Sequence, residues 1–281
     1  MQLYVIDSGN FKLDGGAMFG VVPKTLWSKK IPSDDLNLCS WKMRCLLVED
    51  GNRLILIDTG MGNKQSEKWQ SYYYRHGEGD LIGSIRKHGF HEDQITDVIL
   101  SHLHFDHAGG AVSYDSKRDK LILTFPNAKY WTHSEHWNWA VHPNIRESAT
   151  FLKENLLPIN ESGHLNFIDK TDFDFNNIEF LLADGHTEKM LMPLISVKGQ
   201  KLLFVADTIP SHAHLHIPWV MGYDVRPLQT MNEKEELLRK TVNEDWLLFY
   251  DHDPFYEVSK VLETEKGFAV NQEAQLKDFI E

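Results

Sequence analysis

An α/β fold in a single domain spanning residues 1–281 is predicted by three observations. Two β-hairpin patterns are present, strands and helices interleave from end to end, and no Pro/Gly/Ser-rich linker separates two domains. The first hairpin pairs Met43 to Val48 with Arg53 to Ile57 around Asp50-Gly51, and it ends at Asp58-Thr59-Gly60. The second pairs Leu191 to Val197 with Leu202 to Val205 and ends at Asp207-Thr208. The shared Asp-Thr ending fits two related halves of one sheet system; it fits equally well the general suitability of Asp at strand ends. A helix is predicted within residues 64–90, with Leu81, Ile82, Ile85 and His88 at helical spacing and Gly89 closing it. Ile95 to Leu100 reads as a buried strand. Leu121 to Phe125 and Lys129 to Trp131 read as further strands, and residues 133–160 as helical.

Hydrophobic residues make up 42% and charged residues 25% of the chain, which is enough apolar material for a sizeable core. No apolar run reaches the roughly 18 residues of a spanning helix. Met1 to Asp7 lack a basic stretch and a long apolar run, so no signal peptide is expected. Two cysteines, Cys39 and Cys45, are too few for a disulfide framework and are read as small buried hydrophobes. A cytoplasmic location is the default expectation. With 29 Lys and Arg against 41 Asp and Glu, the net charge of −12 disfavours a nucleic-acid partner, whose phosphates attract Lys and Arg.

The chemistry concentrates where the strand at residues 95–100 runs into Ser101-His102-Leu103-His104-Phe105-Asp106-His107. Two His separated by one residue in extended chain point the same way and suit one metal ion. After the chain turns, Asp106 and His107 face a second position. Neutral imidazole with carboxylate is the donor mix for zinc, manganese, cobalt or iron. Ala108-Gly109-Gly110 then let the backbone turn tightly without side chains blocking the ions.

The pattern His102-x-His104-x-Asp106-His107 resembles the signature of the metallo-β-lactamase superfamily. Ala183-Asp184-Gly185-His186-Thr187, Phe204-Val205-Ala206-Asp207-Thr208 and Tyr250-Asp251-His252-Asp253-Pro254 resemble its later ligand loops. The resemblance implies an αββα four-layer sandwich and two divalent ions, zinc first, with manganese, cobalt or iron as alternatives. His102, His104 and His186 would hold one ion, Asp106, His107 and His252 the other, and Asp207 would bridge them. Asp58 would support the ligands from behind. The expected reaction is hydrolysis of a small neutral ester or lactone by a metal-bridging hydroxide, the water's pKa falling from 15.7 toward about 7. Asp106 would pass the nucleophile's proton to the leaving group.

Length and motif order resemble the lactonase and organophosphate-hydrolase branch, so a phosphotriester is the alternative substrate. In acyl-homoserine lactonases a Tyr follows the bridging Asp by three residues; Pro210 stands there in this chain, and Tyr223 is the substitute on offer. A diiron redox protein of the same fold is disfavoured because its pattern carries Glu where this chain has His104. A nuclease is disfavoured by the charge, and a non-catalytic metal-binding protein by the complete ligand set.

Apolar substrate walls are expected in segments 133–160 and 209–230, with Trp219, Met221 and Tyr223 as the named candidates. His212, His214 and His216 alternate, so in extended chain they would share a face, lining a pocket or the surface. Residues 233–240 read as a solvated charged helix. The expected partner is a small-molecule substrate, with neither nucleic acid nor membrane; a homodimer is left open.

Overall fold

The Val-, Ile- and Leu-rich runs of the chain become the strands of two six-stranded sheets. The computed structural model describes residues 1–170 and 175–280. By internal contacts the chain divides into a unit of Met1–Asn10 with Met43–Asp174 and a unit of Phe11–Lys42 with Phe175–Glu281.

The first sheet is built on β1 (Gln2–Asp14), β2 (Leu38–Asp50), β3 (Arg53–Ile57) and β4 (Asp97–Ile99). β5 (Val112–Tyr114) and β6 (Leu121–Leu123) form a separate hairpin, and β7 (Lys129–Thr132) and β8 (Leu165–Phe167) complete the sheet in the order β1-β2-β3-β4-β7-β8. β2 and β3 pair antiparallel about Asp50-Gly51, as the hairpin pattern predicts. Leu54 to Ile57 are all buried, as befits a strand with neighbours on both sides; the partner β4 runs parallel. Leu47, Leu56, Val98, Tyr130 and Ile159 join one apolar cluster. Asp97 is buried yet fully engaged, accepting from Trp131 Nε1 at 2.8 Å and pairing with Arg53 at 2.9 Å. A buried carboxylate without such partners would be costly.

Residues 64–90 differ from expectation. They hold two short helices, Glu67–Ser71 and Leu81–Lys87, rather than one. Gly77 interrupts at φ +78°, and Asp80 caps a fresh start by accepting from Gly83 N at 2.8 Å. Gly89 at φ +86° then closes the second helix. Residues 133–160 likewise hold two helices, Ser134–Val141 and Lys153–Glu161, separated at Pro143.

The second unit carries β9 (Ile178–Ala183), β10 (Met190–Val197), β11 (Gln200–Phe204), β12 (Leu247–Phe249), β13 (Val258–Thr264) and β14 (Gly267–Ala274), in reverse spatial order. β10 and β11 form the second predicted hairpin. β12 lies parallel to β11, with Phe204 paired to Phe249 and their rings stacked at 5.3 Å. The long helix Pro227–Asn243 starts with Pro at its first turn and buries Leu237 and Leu238.

That helix is not solvated along residues 233–240 as expected. Glu235, Glu236, Arg239 and Lys240 are exposed, but Lys234 is wholly buried. Its Nζ donates to the carbonyls of His216, Ile217 and Trp219 at 3.0, 3.3 and 2.7 Å, one acceptor for each ammonium proton. Burial pulls its pKa down to about 7, against the attraction of Asp224. Among the described residues no helix is long and apolar enough to cross a membrane.

Candidate metal centre

In the first unit, parallel pairing of Ile57 with Ile99 sets the end of β3 beside the end of β4. Asp58, at φ +59°, turns its carboxylate onto the segment that follows β4. Its Oδ1 accepts from Ser101 N at 2.7 Å, and its Oδ2 accepts from Ser101 Oγ at 2.7 Å and meets His107 Nδ1 at 2.9 Å. His107 is thereby oriented through Nδ1, leaving Nε2 as its ligand atom. A carboxylate behind an imidazole is the usual support for a metal-binding His.

His102, His104 and His107 crowd together, with ring centroids of His102 4.6 Å from His104 and 3.9 Å from His107. All three are buried. Three imidazolium rings so close would repel one another, whereas neutral rings sharing divalent ions would not. Asp106 Oδ2 lies 3.8 Å from His107 Nε2. The donor set of this unit therefore fits metal.

Four neighbours of this cluster are not marked by the sequence. Glu147 is buried, accepts from Trp139 Nε1 at 2.7 Å and from Asn144, and faces His104 Nε2 at 3.4 Å. His136 is wholly buried and accepts from Leu103 N at 2.9 Å through Nε2, fixing the backbone between the first two histidines. Trp69 and Tyr73 pack on Phe105 at 5.0 and 4.6 Å, an aromatic group beside Asp106. Burial, with a smaller push from the Asp106 carboxylate, raises the Tyr73 phenol to about 12.

The glycines after His107 serve a different end from the one expected. Gly109 has an ordinary helical φ of −63°, so conformational freedom does not require it. A Cβ there would collide with the Met61 carbonyl, and one at Gly110 with the Thr59 carbonyl. Two backbones thus pack directly, and the buried Lys64 ammonium adds donations to the carbonyls of Gly109 and Val112. Gly109→Ala is expected to destabilise the protein by about 1–3 kcal/mol through overpacking. Denaturant unfolding measures this, and an unchanged midpoint would contradict the close packing.

Asp58→Asn removes an acceptor from a carboxylate with three contacts. Activity or metal affinity is expected to fall about 10–100-fold while metal still binds, because the ligands themselves remain. Metal content after dialysis, read beside kcat/KM, tests this; outright loss of metal would make Asp58 a ligand.

In the second unit the parallel β11–β12 pair does the positioning. Asp207 and His252 each lie three residues beyond the paired Phe204 and Phe249, on adjacent strand ends. Asp207 Oδ1 is 3.2 Å from His252 Nε2, and its Oδ2 is 3.1 Å from His186 Nε2. One carboxylate oxygen therefore faces each imidazole. The other ring nitrogens are taken: His186 Nδ1 meets Asp224 Oδ1 at 2.9 Å, and His252 Nδ1 meets the Lys42 carbonyl at 2.7 Å. Both histidines present Nε2 to the Asp207 carboxylate, one on each oxygen, as a bridge between two ions requires. The carboxylate of Asp251, not singled out by the sequence, also has an oxygen within 4.8 Å of ligand atoms on Asp207 and His252.

His186 is wholly buried, which alone would pull its pKa down. Asp207 and Asp224 on either side overcome this and push it up to about 10. Its loop is fastened by backbone contacts. Glu233 accepts from Asp184 N at 2.9 Å and Gly185 N at 3.0 Å, while Arg226 N donates to the Gly185 carbonyl at 2.8 Å. Gly185 leaves no room for a Cβ against Thr230.

The alternating histidines do not share a face, because His212–Leu215 form a short helical turn instead of extended chain. His214 is a core residue stacked on Phe19 at 4.6 Å and bonded to Ser211 Oγ and the Met18 carbonyl. Burial pulls its pKa down to about 3, so the ring is neutral. His212 pairs with the buried Asp253. Of the expected pocket residues, Trp219 is half-buried against Phe19, Met221 is buried, and Tyr223 is exposed.

Comparison with known proteins follows from this geometry. A family model described as the metallo-β-lactamase superfamily matches residues 44–252. The N-acyl homoserine lactonase AiiA of Bacillus thuringiensis subsp. kurstaki is 25% identical over 268 residues, covering 90% of this chain and 93% of that protein. A probable metal-dependent hydrolase from Staphylococcus aureus superposes with a TM-score of 0.87 at 28% identity, covering 98% of this chain and 96% of that one. AidC, a dizinc quorum-quenching lactonase, superposes with a TM-score of 0.80 at 25% identity, covering 98% and 95%.

Proposed function

Because this chain belongs to the metallo-β-lactamase superfamily, we propose that it hydrolyses a small neutral ester or lactone at a two-metal centre. Its fold is the metallo-β-lactamase fold, with sheets and helices that fit an α/β sandwich. It is a metal-dependent hydrolase, and its cofactor is a pair of divalent ions, zinc in the first instance, as in the dizinc lactonase neighbour. The family match runs through segments of both units, and we read residues 1–281 as one hydrolase domain.

One observation carries this reading: the Asp207 carboxylate, with one oxygen toward His186 Nε2 and the other toward His252 Nε2. We assign His102, His104 and His186 to one ion, Asp106, His107 and His252 to the other, and Asp207 to both. When bound, the ions supply Lewis acidity and an activated water at neutral pH. The chain's own residues then orient and exclude. Asp58, Asp224 and the Lys42 carbonyl hold three imidazoles by Nδ1, so that each presents Nε2 as its ligand atom. Asp106 holds the proton given up by the nucleophile and delivers it to the leaving alkoxide. Trp69, Tyr73 and Phe105 form an apolar wall next to Asp106, suited to the uncharged part of a substrate. Trp219 and Tyr223 are proposed as further contacts. Neither Cys39 nor Cys45 is in a disulfide, which agrees with the cytoplasmic location we propose.

The test is metal analysis together with kcat/KM for an aryl ester, a medium-chain lactone, a phosphotriester and an oligonucleotide. Close to two equivalents of metal and a preference for the lactone or ester are expected. Preference for the oligonucleotide, or a single ion unchanged by excess metal, would overturn the reading; preference for the phosphotriester would move the substrate class.

A further inference from the structure

Within the second unit lies a half-open cavity of about 440 Å³, lined by neither Asp207 nor His252. Its size falls within the roughly 300–1,000 Å³ of small-molecule sites. Lys29, Lys30 and His216 line it together with Leu215, Phe255 and Phe268. No Asp or Glu lines it, although acids outnumber bases by 41 to 29 in the chain.

The charges of this cavity are uncompensated from within. Among the described residues neither Lys29 nor Lys30 makes a side-chain hydrogen bond or an ion pair, and both are exposed. The carboxylates nearest by contact are already engaged. Asp253 is buried and held by His212, and Glu273 is bonded to the Tyr256 phenol. His216 is half-buried, and burial together with Lys30 and Lys234 lowers its pKa, so its ring is a neutral donor or acceptor. Phe255 remains 56% exposed although its ring meets those of His212 and Tyr256 at 6.2 and 6.5 Å.

We propose that this cavity binds an amphiphilic organic carboxylate, the head group between Lys29, Lys30 and His216 and the apolar chain over Leu215, Phe255 and Phe268. Two ammonium groups on flexible stems suit a carboxylate in competition with water. The absence of acids from the lining removes the usual repulsion, and the aromatic floor selects a ligand with an apolar body over a small inorganic ion. The same chemistry belongs to a free fatty acid and to the ring-opened product of a lactone. The site does not depend on the hydrolase reading.

Calorimetric titration of the metal-loaded protein with decanoate and with 4-hydroxydecanoate tests the proposal, with 1-decanol and inorganic phosphate as the uncharged and tail-less probes. One equivalent of carboxylate should bind, more weakly at high salt. The double variant Lys29→Ala/Lys30→Ala should lose about tenfold or more in affinity while keeping its ester turnover and its melting temperature. Tighter binding of decanoate names a fatty acid as the source, and tighter binding of 4-hydroxydecanoate names the product. Equal binding of 1-decanol or of phosphate overturns the amphiphilic carboxylate, as does no binding at all. Affinity that survives in the lysine variant but disappears in His102→Ala places the ligand at the metal centre and also overturns it.

Discussion

Asp207→Ala should lower turnover by well over the roughly 10–100-fold expected for losing a supporting residue behind a ligand, and should release at least one ion. The reason lies in its two oxygens, one 3.1 Å from His186 Nε2 and the other 3.2 Å from His252 Nε2. No neighbouring side chain takes that double role without rearrangement, although Asp251 lies close by. Asp207→Asn keeps the shape but replaces one oxygen by a nitrogen that cannot ligate, so it should be nearly as damaging. Metal content and single-turnover rates of the two variants measure the effect. Near-normal turnover in Asp207→Ala would transfer the bridging role elsewhere, with Asp251 the first residue to examine.

Metal loading should be strongly pH-dependent and should release protons. In the metal-free protein Asp207 and Asp224 hold the His186 pKa up at about 10, so at neutral pH the ring carries the proton that an ion must displace. The sign follows from linkage. A pKa raised above its unfolded value near 6.5 stabilises the metal-free fold fully below about pH 6.5. That contribution is lost as pH rises through 10. Metal affinity has the opposite trend, rising over the same window as the competing proton departs. Titrating the chelated protein with zinc in weakly buffered solution at pH 7 and pH 9 measures both quantities. An affinity that does not rise from pH 7 to pH 9, with no proton released on loading, would remove His186 from the ligand set.

The convergence of His102, His104 and His107, the ligands we propose, was legible because they are nearly contiguous: they follow a buried strand and need only its direction to meet. Asp207 and His252 were legible through their motifs, and the Phe204–Phe249 pairing supplies the physical reason for their meeting. What the sequence did not mark are residues whose roles exist only across long separations. Glu147 approaches His104 from 43 positions away, Asp224 approaches His186 from 38, and Glu233 reaches Asp184 from 49. None of the three stands in a ligand-like motif or a periodicity that distinguishes it from a solvated acid. Lys234 was misread for the same reason, since a lysine among charged residues on a helix looks exposed. The helix expected over 64–90 failed differently: the apolar spacing at 81–88 is real, but Gly77 and the Asp80 cap confine the helix to seven residues.

Lys234 has a consequence for how this protein can change. Its ammonium grips main-chain carbonyls, those of His216, Ile217 and Trp219, and the adjacent Glu233, steadied by Gln229 Nε2 on its own helix, grips the main-chain amides of Asp184 and Gly185. Neither anchor reads the side chains of the segments it fixes. Residues 216–219 can therefore be exchanged over generations while their path, and the path of the loop bearing His186, stays in place. One turn of one helix therefore holds two loops by their main chains, so a change of side chain in the first need not move the second.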